Sequence, residues 1–173
     1  MKFFFLLPLF YFYFQSNEIK WTKSNPLTWE NFSGEIDTSS QFEAWTWSGF
    51  RYTYSWKRMD VTIFVDCTAY AFFDPAQSWI KKLKKSDELL KHEQVHFDIS
   101  ELFSRYFEER IAMHDFSNQV EHEIDSIYNV TFQELLDAQV KYDTDTEHYR
   151  NKEEQKRWEE FVHSELVRLK EFE

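Results

Sequence analysis

The sequence predicts an α+β fold, a small antiparallel sheet followed by three helices, and this rests on a change of period along the chain. Between about residues 42 and 73, aromatic and β-branched residues alternate with polar ones, as in half-buried strands. From residue 86 onward apolar residues recur at spacings of three and four, as on amphipathic helices. The length, 173 residues, suits one ordinary domain.

The elements follow in order. Residues 1–16, MKFFFLLPLFYFYFQS, place an apolar run behind Lys2 that is too short for a spanning helix, which needs roughly 20 such residues. The run predicts a secretory signal. Phe14 fits a small-residue cleavage site poorly, so an uncut N-terminal anchor is the alternative. The protein is therefore expected to be exported, secreted or periplasmic, or attached to a membrane through its leader, with residues 17–173 as a single domain. Leu27-Thr28-Trp29 predicts a short edge strand or turn. The first long strand carries Trp45, Trp47 and Gly49 in alternation with Thr46 and Ser48. Lys57-Arg58-Met59-Asp60 suits the turn. The strand over 61–73 sets Val61, Ile63, Val65 and Cys67 on one face and Thr62, Phe64 and Asp66 on the other. Such a hairpin is marginal alone and needs helical cover. Trp45, Trp47, Trp56 and Trp79 are expected in the core.

Ser86 is a good N-cap, and Asp87 and Glu88 complement the helix dipole. Leu89, His92, His96, Ile99, Phe103 and Phe107 form the first helical stripe. A second helix is expected from Ser117, with Val120, Ile124, Thr131 and Leu135 on one face, interrupted by the polar turn over 142–146. A third, over 152–170, carries Trp158, Val162 and Leu169, and its charges read as a solvated face.

The net charge is −11, and the leader contributes only Lys2, leaving −12 on the domain. That balance repels phosphate backbones and argues against nucleic-acid binding. Cys67 is the single cysteine, which excludes an intrachain disulfide and a thiolate zinc knuckle.

The chemistry concentrates in His92-Glu93-Gln94-Val95-His96, an HExxH pattern inside a helix. Four residues are just over one turn, so both imidazoles leave the same face and can bind one ion. Glu93 is rotated by about 100° and suits the general base acting on a zinc-bound water. Two histidines on an apolar face also suit a satisfied core pair, although burying both without a shared partner is costly. The chain around this pattern, LLKHEQVHFDI over 89–99, resembles a bacterial family of predicted secreted zinc-dependent proteases. LTWENFSG over 27–34, Ser78-Trp79, and YDTDTEH over 142–148 followed by Gln155 and Trp158 match in order. The resemblance implies export and a zincin-like site. Its pattern places glycine after the histidine of the third block, where this chain has Tyr149.

Catalytic zinc usually has three protein ligands, and His148 is the expected third, folding back from the polar turn. Glu121 and Glu123 are the alternatives, while Glu101, His114 and His163 are expected to lie elsewhere. Asp98 and Asp143 suit acceptors for the imidazole N–H groups, and Tyr142 or Tyr149 a donor to a developing oxyanion. The expected function is zinc-dependent hydrolysis of peptide bonds in a polypeptide, with His92, His96 and His148 on Zn2+, Glu93 as base, and the strand over 61–73 holding substrate by analogy. The alternative is a non-catalytic zinc-binding envelope or interaction protein.

Overall fold

The computed structural model describes residues 17–173, so the expectations for the leader lie outside the described residues. Among the described residues, no helix is long and apolar enough to cross a membrane. The architecture is α+β, with two small antiparallel sheets and three helices. In chain order the elements are β1 (Ile19–Lys20), β2 (Ala44–Trp45), β3 (Ser48–Met59), β4 (Thr62–Phe73), β5 (Trp79–Ile80), α1 (Asp87–Met113), α2 (Val120–Thr146) and α3 (Lys152–Arg168). Leu27-Thr28-Trp29 leads into a single 3-10 turn, Trp29–Asn31, and forms no strand.

β3 and β4, each of 12 residues, make a hairpin whose register runs from Ser48↔Phe73 to Met59↔Thr62. The turn is therefore tighter than the expected 57–60. Lys57, Arg58 and Met59 stay paired, and Asp60 takes the left-handed conformation (φ 56°), which Asp tolerates better than most residues. β1 pairs with β4 at Phe72 and Phe73, so β4 is the middle strand. Its remaining edge is tied to α1, where the Glu101 carboxylate accepts from Ala71 N–H and Glu108 from Ala69 N–H. The second sheet pairs β2 with β5.

Alternation decides which side of the hairpin is buried. Ile63, Val65, Cys67 and Ala69 pack on the main core, which is centred on Phe50, Ile99, Phe107, Ile124 and Leu135. Val61, expected on that face, sits at the hairpin tip and is 97% exposed. Of the four tryptophans expected in the core only Trp79 is buried, while Trp45, Trp47 and Trp56 are 39–45% exposed. Strand alternation points Trp45 and Trp47 outward, because Ala44 takes the inward position between β2 and α1.

Ser86 caps α1 by accepting from Leu89 N–H at 3.1 Å. α2 starts at Val120, three residues later than expected. Glu123 reaches back to the N–H and hydroxyl of Ser117 and gathers the preceding loop. The expected break over 142–146 does not occur. Leu135, Tyr142 and Thr146 continue the buried stripe, and the Thr144 and Thr146 hydroxyls donate to the carbonyls four residues back, at 2.8 and 2.7 Å. That bond lets threonine sit inside a helix. α3, capped by Asn151, then packs against α1 and α2.

Two measurements probe this frame. A Cβ on Gly34 would lie 2.7 Å from Ala76 O and 2.8 Å from Ser78 O, both fixed backbone. Gly34→Ala is therefore expected to cost about 1–3 kcal/mol in denaturant unfolding. Burial first, then the charges of Glu108 and Asp66, push the Cys67 thiol up to about 12. Alkylation of the folded protein at pH 8 should run roughly a thousandfold slower than in denaturant, because the thiolate is the nucleophile.

Candidate metal centre

α1 supplies two imidazoles to the site. His92 is buried and His96 half-buried, and their rings lie edge to face with centroids 4.7 Å apart. The uninterrupted α2 supplies the third group. Asp143 stands one helical turn beyond Gln139, so both side chains project toward α1 from the same face. Asp143 Oδ1 lies 3.0 Å from His92 Nε2 and 3.1 Å from His96 Nε2, and the two Nε2 atoms are 3.2 Å apart. His92, His96 and Asp143 thus form a group that could hold a metal ion.

Glutamines fix the orientation of both rings. Gln139 Nε2 donates to His96 O at 2.9 Å, which turns its Oε1 to His96 Nδ1 at 2.5 Å. Gln155, on α3, donates through Nε2 to Glu159 at 2.9 Å. Its Oε1 then faces His92 Nδ1 at 3.2 Å and accepts from the Tyr142 hydroxyl at 2.7 Å. With carbonyl oxygens opposite both Nδ1 atoms, the protons belong on Nδ1, and each Nε2 presents a lone pair toward Asp143. Three electron-rich atoms then face one another across little more than 3 Å, an arrangement that demands positive charge between them.

The titration behaviour reflects the same demand. Burial disfavours the His96 imidazolium, but the hydrogen bond and charge of Asp143, helped by Glu93, outweigh it and hold the His96 pKa above its ordinary value. Burial would likewise raise Asp143. The two histidines overcome that and hold its carboxyl well below the usual carboxylate range.

A divalent cation satisfies the arrangement directly. Metal–donor distances of about 2.0–2.2 Å in a tetrahedral set imply donor separations of about 3.3–3.6 Å, a few tenths of an ångström wider than the triangle of 3.0–3.2 Å.

The other expected site residues divide clearly. Glu93 is buried beside the group and accepts from Thr46 Oγ1 at 2.6 Å. His148 borders the group without joining it, with Nδ1 3.2 Å from Asp143 Oδ1, its ring against Phe42 and its side chain 42% exposed. Glu121 accepts from Trp56 on the hairpin, and Glu123 from His114 and Ser117, so neither is at the site. Asp98 does not accept from either imidazole; it accepts from Trp21 Nε1 and Gln94 Nε2. Glu101 is held in a buried pair with Arg105. Tyr142 is sequestered, its ring stacked on His92 at 4.6 Å and its hydroxyl spent on Gln155.

Tyr149 lines the cavity, and its hydroxyl donates to Glu43 Oε2 at 2.5 Å. Glu147, His148 and Tyr149 form a run of positive φ (49°, 52° and 72°). The position where the family pattern places glycine is thus left-handed, and Tyr149 occupies it under strain, pinned through Glu43.

A cavity of about 910 Å³ opens over His92, Glu93, His96 and Asp143. Its β wall is the segment over 41–49 and not the strand over 61–73, which as β4 lies mid-sheet with only Phe72 reaching the cavity. Gln155 stands among the residues that carry the family resemblance, but nothing in the sequence gives it a role. Nothing local marks Thr46 or Gln139, although Gln139 and Asp143 share the four-residue spacing of one helix face.

Removing the Gln139 amide frees His96 to rotate. Gln139→Leu is expected to weaken binding of a divalent metal about 10–100-fold in chelator competition, because partners that orient metal ligands carry effects of that size.

Residues 31–149 match a bacterial family described as a protein of unknown function, DUF922. No curated protein and no solved structure matches the chain. The match covers most of the sequence and includes all of the elements that build the His92–His96–Asp143 group except α3, and the chain belongs to the DUF922 family.

Proposed function

We propose that the protein is an exported, zinc-dependent hydrolase of peptide bonds with a zincin-like centre. The observation that carries this reading is the convergence of His92 Nε2, His96 Nε2 and Asp143 Oδ1 beside the Glu93 carboxylate, at the floor of an open cavity. Asp143 takes the role of third ligand for which His148 was expected, and His148 stands behind it as a partner of the same carboxylate. Zinc suits two imidazoles and one carboxylate, and when bound it makes a water acidic and polarises a carbonyl.

The chain's own residues account for the remaining steps. Glu93 takes a proton from the attacking water and returns it to the amine released when the C–N bond breaks. Thr46 Oγ1 holds Glu93 Oε2, and Glu93 Oε1 is engaged in no hydrogen bond among the described residues, which leaves it for that proton. Gln139 and Gln155 keep both Nε2 lone pairs directed inward.

The segment over 43–47 is the place for an extended substrate. Glu43 O accepts from Lys81 N–H, and Trp47 N–H and O bond to Ser78 Oγ and Asp74 N–H, so these odd-numbered residues face the β5 side. By strand alternation, Ala44 and Thr46 direct their N–H and C=O groups to the other edge. A peptide strand adding there would lie beside Glu93.

Zinc content and hydrolysis of labelled casein test the reading. Wild-type protein should carry one zinc and cleave casein. Glu93→Gln should keep the metal and lose at least about a hundredfold in rate, and Asp143→Ala should lose both. A wild type without zinc, or a Glu93→Gln variant as active as wild type, overturns it. Zinc removal that unfolds a protein inactive on casein points to a structural metal instead.

A further inference from the structure

Apart from the metal group, α2 carries a second feature on the cavity side. Its buried face packs Ile124, Thr131, Leu135 and Tyr142 into the core. A neighbouring stripe, Phe132, Leu136 and Val140, repeats every fourth residue and lines the cavity. Leu136 and Val140 are 44% and 67% exposed, so they contribute little to the core. Trp47 and Phe72 line the same cavity from the sheet side. Between the walls lies Gly49, where an added Cβ would meet the Phe72 ring at 3.4 Å and Phe132 at 3.9 Å. A methyl there would already touch both rings, so the absent side chain keeps this part of the cavity floor low between them.

The stripe is continuous with the site. At about 1.5 Å of rise per residue, Val140, Leu136 and Phe132 stand roughly 5, 10 and 16 Å along α2 from Asp143. An extended peptide advances about 3.3 Å per residue. Its first three residues beyond the reacting bond would therefore pass Val140 and Leu136, and about five would reach Phe132. Among the cavity-lining residues, the charged Glu43 and Arg150 gather with His148 and Tyr149 at the C-terminal end of α2, whereas the stripe at the other end carries no charge.

We infer that Trp47, Phe72, Phe132, Leu136 and Val140, arranged around Gly49, form a subsite for a bulky apolar side chain, and that the protein selects polypeptides with a large apolar residue within about five positions of the bond cleaved. The inference rests on the hydrolase reading for its catalytic consequence, but the subsite itself is a binding property. Apolar area covered by the incoming side chain supplies the selectivity, and one such pocket contact separates substrates by tenfold or more.

The test compares two unstructured decapeptides, one with a central Phe-Leu pair and one with Ser-Ser, on wild-type protein and on the Leu136→Lys/Val140→Lys double variant. Both substituted positions are exposed, and an unchanged circular dichroism spectrum and melting temperature confirm the fold. Wild type should cleave the Phe-Leu peptide at least about tenfold better in kcat/KM, and the double variant should bring the two rates together. Equal rates on wild type, or a preference that survives in the double variant, overturn the subsite while leaving the hydrolase reading intact. If wild type cleaves neither peptide, casein separates the readings: cleavage of casein keeps the hydrolase reading, and its absence removes that reading. The subsite is then decided by fluorescence anisotropy of the labelled peptides. Tighter binding of Phe-Leu that disappears in the double variant upholds it, and equal binding overturns it.

Discussion

Three acceptor atoms brought within 3.0–3.2 Å of one another, His92 Nε2, His96 Nε2 and Asp143 Oδ1, set the constraint around which the rest of the protein is arranged. Their lone pairs repel unless positive charge sits among them, and at a half-buried position water cannot dilute the repulsion. Each surrounding feature serves that convergence. The four-residue spacing on α1 aligns the imidazoles. α2 continues through Thr144 and Thr146 to deliver Asp143. Gln139 and Gln155 place the ring protons away from the centre. The last of these groups comes from α3, so the three helices must be docked before the site exists.

The sheet contributes position instead of ligands. Glu101 and Glu108 of α1 bind the backbone of β4, which sets the hairpin against the helix that carries the histidines. β5, held to β2, then leaves the segment over 41–49 along the cavity, and from there Thr46 reaches Glu93. Behind the site, the left-handed run Glu147–Tyr149 reverses the chain between α2 and α3. Non-glycine residues in that conformation are costly, and here the cost is offset by the Tyr149–Glu43 bond and the tilted packing of His148 against Phe42. The strain thus lies where the chain must turn sharply to keep both Asp143 and Gln155 facing α1.

Local features of the sequence that carry their own physics were legible in it. Ser86 caps because its hydroxyl meets the free N–H of Leu89, and Ile63, Val65 and Cys67 go inward together because strand period is two. Sequence and structure part where a local cue competes with a distant one. The polar run over 142–146 has the composition of a turn, yet Tyr142 and Thr146 lie on the buried face, and packing against α1 overrides propensity. The exposed tryptophans differ from expectation for a related reason. Their size and hydrophobicity favour the core, whereas the inward side of that short strand admits only Ala44.

The sequence by itself determined the α+β order of elements and the pairing of His92 with His96 on one helical face, because period and spacing act within a few residues. Only the tertiary structure decided what meets those histidines. Asp143, Gln139, Gln155 and Thr46 lie between 43 and 63 residues from the histidine or glutamate they contact, and only the packing of three helices and a strand sets such distances. His148, which spacing suggests as a ligand, follows the same helix and lies 3.2 Å from Asp143 Oδ1. The helix runs one turn further than its composition suggests, and that turn brings Asp143 to the two histidines.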